Sequence, residues 1–182
     1  VPWDAAEPNP LLVTWMARHA AEGAGRRALV IGCGLGRDAE YIAALGFRTT
    51  AFDISETALA TARARFPEST VEYVVADLLA PPAAWISGYD LVVESITVQS
   101  MPLSVRDRAT ARVSSLVAPG GTLLVISGIR AEGAQVDGPP WPLTRSEIDA
   151  FATEELKPVL IEEVPRPDVP GVARWRAVFQ RA

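Results

Sequence analysis

The chain is short of the residues that enzymes use most for proton transfer, metal binding and cross-linking. It has one histidine, His19, and one cysteine, Cys33, among 182 residues. A lone cysteine makes no internal disulfide and anchors no cysteine metal cluster. A lone histidine argues against a histidine metal site or a histidine-based triad, so no metal is expected. No apolar run approaches the ~20 residues needed to span a bilayer. Positive charge is also scarce, with 17 Lys and Arg against 22 Asp and Glu. Nucleic-acid binders draw affinity from phosphate neutralisation, and an acidic chain with no basic run does not read as one. The start, Val1-Pro2-Trp3-Asp4, has no basic-then-apolar signal pattern and no initiator Met. The expectation is therefore a soluble cytoplasmic protein, with residues ahead of Val1 missing from the sequence.

What the chain does contain is nearly half apolar and about a fifth charged, enough for one domain with a substantial core. The most informative stretch runs from Arg27 to Asp53. The apolar run Ala28–Ile31 enters a turn carrying Gly32, Gly34 and Gly36, and Asp53 ends the next apolar run seventeen residues after Gly36. Glycines let backbone N–H groups approach a ligand. An acid at the tip of the second strand suits a ribose diol. These features point to a nucleoside-containing cofactor. Dinucleotide folds use G-x-G-x-x-G with a pyrophosphate at the helix N-terminus. Here Gly32-Cys33-Gly34-Leu35-Gly36 is followed at once by Arg37 and Asp38, and an acid there repels pyrophosphate but suits an ammonium. S-adenosylmethionine, with S-adenosylhomocysteine as product, fits that pattern.

Strands and helices alternate from residue 28 onward, which implies parallel βαβ units. Strands are expected at 28–32, 48–53, 71–77, 89–95 and 122–127. Helices are expected at 11–22, 37–45, 55–65 (capped by Ser55), 105–117 (capped by Ser104) and 145–152, where Thr144 and Glu147 form a capping box. Segments 158–165 and 174–180, with no helix between them, should pair antiparallel. The fold expected is a single-domain, Rossmann-like α/β fold: a seven-stranded, mostly parallel sheet with an antiparallel end. Gly32, Asp53, Asp77 and Glu94 all fall at strand carboxyl ends, where such sheets bind ligands.

These residues together resemble the class I S-adenosylmethionine-dependent methyltransferases. Within that class the chain resembles the thiopurine methyltransferase family, including plant thiol and halide methyltransferases. The specific motifs are Pro2-Trp3-Asp4 and Gly138-Pro139-Pro140-Trp141; the glycine turn, Phe52-Asp53-Ile54 and the Tyr89–Glu94 run are shared across the class. Ile31 stands where the family commonly has proline, and Glu94 where it has aspartate. The resemblance covers residues 1–182 as one domain, with 1–22 as an N-terminal lid and helix and 128–144 as an acceptor-pocket loop.

The resemblance implies roles residue by residue. Trp3 and Asp4 would close over the cofactor. Gly32, Cys33 and Gly34 would form the turn beside its methionine part, with Cys33 a small filler. Asp38 would assist its ammonium or stabilise a helix N-terminus. Asp53 would take the ribose hydroxyls, Ile54 would pack on adenine, and Asp77 would accept from the adenine amino group, with Leu78 supplying backbone and apolar contact. Glu94 would bind the ammonium or face the acceptor, and is the one candidate general base. Pro140 and Trp141, with Pro139, would wall the acceptor pocket, to which Ser95, Gln99 and Met101 could also contribute. His19 reads as a helix-surface residue, and Trp15, Trp85 and Trp175 as packing. The function implied is methyl transfer to a small molecule, with a thiol, hydrosulfide or halide favoured because such acceptors need no base. An N- or O-methyltransferase is the alternative; an NAD-dependent oxidoreductase and a non-catalytic cofactor-binding protein stand behind it. A monomer is expected.

Overall fold

A computed structural model of the chain describes residues 7–19 and 23–182. In chain order the regular elements are α1 (Pro10–Met16), β1 (Arg27–Ile31), α2 (Arg37–Ala44), β2 (Arg48–Asp53), α3 (Glu56–Arg65), β3 (Glu72–Val75), β4 (Tyr89–Ser95), α4 (Arg106–Ser115), β5 (Val117–Gly128), α5 (Arg145–Asp149), β6 (Leu156–Pro165) and β7 (Ala173–Arg181). The strands form one sheet in the order β3-β2-β1-β4-β5-β7-β6. The first five are parallel to one another, and β7 runs antiparallel between β5 and β6. This is the expected open sheet with an antiparallel end.

Why the central strands read as unbroken apolar runs follows from their position. Both faces of β1 are covered, so alternate residues enter different layers. Leu29 and Ile31 join a core with Val92, Val113, Val125 and Ile148, under α4 and α5. Ala28 and Val30 join a second core with Leu11, Leu12, Ile42, Leu59 and Ile126, under α1, α2 and α3. The edge strand β6 carries Lys157, Pro158 and Pro165, which deter pairing with another sheet.

The chain reverses direction at β1. From β1 it winds outward to β2 and β3, then returns to place β4 on β1's other side. Such a switch point leaves a crevice at the strand carboxyl ends. Two caps that hold this winding were legible. The Ser55 hydroxyl accepts from Ala58 N at 3.2 Å, and the Thr144–Glu147 capping box is complete.

Elsewhere boundaries moved. Ser104 lies in a 3-10 turn over Leu103–Val105, so α4 starts at Arg106 with no side-chain cap. The segment Pro119-Gly120-Gly121 does not precede β5 but lies within it: Val117 pairs with Tyr89, and a register irregularity absorbs the glycines. β3 stops at Val75, which leaves Asp77 in the following loop. α1 ends at Met16 and α5 at Asp149. Trp3, Asp4 and residues 20–22 lie outside the described residues.

Candidate active site

The glycine turn leaves β1 with Gly32, Gly34 and Gly36 at φ of 58°, 50° and 87°, a left-handed backbone that only glycine adopts at little cost. The three meet different surroundings. A Cβ at Gly32 would lie 2.3 Å from the Thr97 hydroxyl, and one at Gly36 would lie 2.3 Å from the Tyr73 hydroxyl. A Cβ at Gly34 would meet nothing within 4 Å. Gly32 and Gly36 thus admit neighbouring side chains, while Gly34 faces open space. Cys33, between them, donates its N–H to Phe52 O at 2.9 Å and ties the turn to β2. Burial, with the Asp53 charge second, pushes its thiol up to about 12, so it is inert as a nucleophile.

Asp53 closes β2 beside this turn. Its Oδ2 accepts from Gly34 N and its Oδ1 from Ser55 N, each at 2.9 Å. A carboxylate has about four acceptor sites, so both oxygens keep capacity for further donors. Ile54 next to it is 72% exposed, a large apolar side chain held out at the mouth of the crevice. Asp77 is exposed and accepts from Leu79 N at 2.8 Å. Leu78 departs from expectation: its side chain is packed in the core with Phe52 and Val98, because the short β3 turns it inward. Only its backbone is left for a ligand.

At the switch point itself the fold brings together three polar residues. Asp38, in the first turn of α2, accepts from Asn9 N at 2.7 Å, and the Asn9 amide donates to Ser95 Oγ at 3.1 Å. Burial raises the Asp38 carboxyl above its ordinary range, against the pull of hydrogen bonds from Asn9 and Ser95. Ser95, expected on the acceptor side, belongs to this cluster instead. Successive residues of a strand face opposite ways, and Ser95 shares a face with α1 and α2. Asn9 was missed. It also caps α1 by accepting from Leu11 N, and only that capping pattern marks it in the sequence.

Glu94, on the opposite face, is fully buried. Its Oε1 accepts from Thr97 N at 2.7 Å and Val98 N at 2.9 Å, bracing the turn after β4. In that turn Ile96 has φ of 67°, a strained setting for a β-branched residue. Among the described residues the Glu94 Oε2 is buried without a partner. Burial pushes the carboxyl up to about 7, although the two N–H donors and the Arg106 charge oppose it.

The remaining residues named from the sequence sit beyond β4 and β5. Gln99 is buried. Its Oε1 accepts from Ser127 Oγ at 3.0 Å and Gly128 N at 2.6 Å, and its backbone oxygen accepts from Trp141 N at 2.7 Å. Its two oxygens brace the loop. Trp141 is half-buried and Pro140 exposed, with a cis bond between Pro139 and Pro140. Met101 packs against the core. His19 stacks on Trp15 with ring centroids 4.3 Å apart, and Trp175 is buried with its indole N–H on Leu143 O. The sequence did not reveal an ionic cluster of Arg106, Glu147 and Arg130 behind this loop, since its members lie far apart in the chain. Among the described residues no group of three His, Cys, Asp or Glu side chains could hold a metal ion, and no helix is long and apolar enough to cross a membrane.

The sheet order, the glycine turn and the strand-end acids are those of the class I S-adenosylmethionine-dependent methyltransferase fold. Residues 28–121, more than half of the chain, match the family model described as a methyltransferase domain, and the chain belongs to that family. It is 40% identical over 119 residues to the ubiquinone biosynthesis O-methyltransferase of Aromatoleum aromaticum, across 63% of this chain and 49% of that protein. The protein of the same name from Burkholderia multivorans is 36% identical over 115 residues, across 62% and 48%. The chain thus spans about half the length of the curated relatives it matches. These relatives carry O-methyltransferase names, where the motifs had suggested a thiopurine-type enzyme.

Two solved structures share the fold. The N-methyltransferase NodS from Bradyrhizobium japonicum WM9, in complex with S-adenosylhomocysteine, aligns with a TM-score of 0.77 at 23% identity over 99% of this chain and 91% of that one. A TehB-like S-adenosylmethionine-dependent methyltransferase from Corynebacterium glutamicum aligns with a TM-score of 0.67 at 21% identity over 100% and 91%. The local chemistry fits the methyl donor of this class. The crevice offers open space at Gly34, an acid with spare acceptor capacity at Asp53, an exposed apolar face at Ile54 and a half-buried carboxyl at Asp38.

Proposed function

We propose that this chain transfers the methyl group of S-adenosylmethionine to an oxygen of a small-molecule acceptor. The observation that carries the choice of oxygen is the 40% identity over 119 residues to a ubiquinone biosynthesis O-methyltransferase. That name favours a hydroxyl on an aromatic ring. Such a hydroxyl ionises near pH 10, as tyrosine does, and so needs less help from a base than an aliphatic one. This suits a site in which Glu94 is fully buried and His19 is stacked on Trp15.

In this reading Asp53 accepts from both ribose hydroxyls, and Ile54 lies against the adenine. Asp77 accepts from the adenine amino group. Gly34 admits the methionine part, and Asp38, with Asn9 and Ser95, receives the ammonium. Trp3 and Asp4 would close the crevice, on the resemblance alone, within an N-terminal lid and helix over residues 1–22. Pro140 and Trp141 wall the acceptor side of a single domain. The donor supplies an electrophilic methyl carbon. The protein's part is to align it in line with the acceptor and to exclude water. Glu94 acts by holding the turn at Thr97 and Val98, not by taking a proton.

A second reading, transfer to a thiol or halide, keeps one observation in its favour: these acceptors need no base. Methyl transfer from radiolabelled donor to catechol, small thiols, iodide and amines separates the two. Turnover of catechol is expected. Turnover of thiol or iodide with none of catechol would sink the oxygen reading and restore the sulfur or halide one.

A further inference from the structure

We propose that Arg106 is a positioning residue, which fixes the acceptor loop to the start of α4 and to α5. It rests on the reading of residues 128–144 as the acceptor-pocket loop. Arg106 opens α4, yet its side chain is only 3% exposed. Its Nη1 meets Glu147 Oε1 at 2.9 Å, and its Nη2 donates to Trp141 O at 2.7 Å. The other oxygen of Glu147 accepts from Thr144 N at 2.8 Å and from Arg130 Nη2 at 2.9 Å. Arg130 in turn donates to Pro142 O at 2.9 Å and to Ala134 O at 3.0 Å. Three side chains therefore hold four main-chain groups of the segment 134–144.

Among the described residues the Arg106 Nε and the Glu94 Oε2 are both buried without a partner. The Arg106 charge acts on Glu94. Glu94 holds the N–H of Thr97, and Thr97 packs on Gly32 and donates to Ile31 O at 3.0 Å. Two hydrogen-bonded networks thus stand side by side: Glu94 and Thr97 at the glycine turn, and Arg106, Glu147 and Arg130 around Trp141.

Stability alone does not call for this arrangement. Well-packed apolar side chains often replace a buried ion pair at no loss of stability. Planar guanidinium forks, however, fix the direction of the carbonyls they hold, which apolar packing does not. The cluster gives the loop one backbone course before an acceptor arrives, and a preset site loses less on binding.

The test compares Arg106→Gln, Arg106→Lys and the more exposed Arg130→Gln. Hydrogen exchange along the chain, S-adenosylhomocysteine affinity and the catechol KM and kcat are measured for each. With Arg106→Gln and Arg130→Gln, amides of 130–143 are expected to exchange at least about tenfold faster, while those of β1, β4 and β5 keep their protection. Affinity for S-adenosylhomocysteine stays within about threefold. The catechol KM rises about tenfold with kcat within about threefold, and Arg106→Lys restores only part of the loss. Unchanged exchange at 130–143 in Arg130→Gln, or faster exchange spread evenly over the sheet, would overturn the proposal. If catechol is not turned over by the parent protein, the oxygen-acceptor reading falls, while the exchange measurement still decides the role of Arg106.

Discussion

Replacing Glu94 with glutamine should make the protein more stable at pH 8 and leave it unchanged at low pH. Glu94 is fully buried, and its carboxyl is raised from the ordinary 4.5 to about 7, chiefly by desolvation. Because the folded-state value lies above the unfolded one, this group's contribution to stability is present in full below about pH 4.5. It is lost as pH rises through about 7. At ~1.4 kcal/mol for each tenfold, the charged form costs the folded state about 3 kcal/mol. Glutamine is never charged and keeps an oxygen for the N–H groups of Thr97 and Val98. Urea unfolding at pH 5 and pH 8 reads the difference. The variant should gain up to about 3 kcal/mol over the parent at pH 8 and about 1 kcal/mol or less at pH 5. A variant less stable than the parent at pH 8, or an equal effect at both pH values, would refute the reasoning. Turnover provides a second reading of the same variant. Loss of a general base costs ~10²–10⁴-fold, whereas a brace replaced by an amide keeps the rate within about threefold.

Three further outcomes follow from the site. Ile54→Ala should leave the unfolding midpoint unchanged, because Ile54 is 72% exposed, yet weaken S-adenosylhomocysteine binding by about 1 kcal/mol through lost apolar contact; calorimetry reads both. Gly32→Ala should be the more damaging of the two turn substitutions to the fold, since its Cβ would lie 2.3 Å from the Thr97 hydroxyl. Gly34→Ala should cost about 1–2 kcal/mol for its left-handed backbone and act mainly on cofactor binding; equal unfolding midpoints for the two variants would contradict this. Cys33, with its thiol at about 12, should resist alkylation by iodoacetamide at pH 8 until the protein is unfolded. Fast labelling of the folded protein would show that the glycine turn is more open than described.

The fold was legible because its signals are local. The apolar runs of β1, β4 and β5 announce strands covered on both faces, and the caps at Ser55 and Thr144 announce helices. Their alternation leaves few topologies. Strand-end acids were legible for the same reason, since a strand's carboxyl end can be read from where its apolar run stops. What failed to show were the relations across the chain. Ser95 and Gln99 are close in sequence but serve different layers, because Ser95 ends β4 whereas Gln99 lies in the 3-10 turn Val98–Ser100 beyond it. Leu78 turned inward where β3 stopped two residues early. Asn9, Arg106 and Arg130 take their meaning from partners 29, 41 and 17 residues away, and no local pattern marks such pairs. Pro119-Gly120-Gly121 read as a breaker, but pairing of Val117 with Tyr89 drew it into β5.

Cofactor binding at the carboxyl ends of β1 and β2 is tested most directly by titration calorimetry with S-adenosylhomocysteine on the parent and on Asp53→Ala. The parent should bind one equivalent at micromolar concentration. The variant should bind more weakly by about 2 kcal/mol, ~30-fold, from lost charge-assisted hydrogen bonds to the ribose. No binding by a folded parent, or equal binding by both, would contradict it.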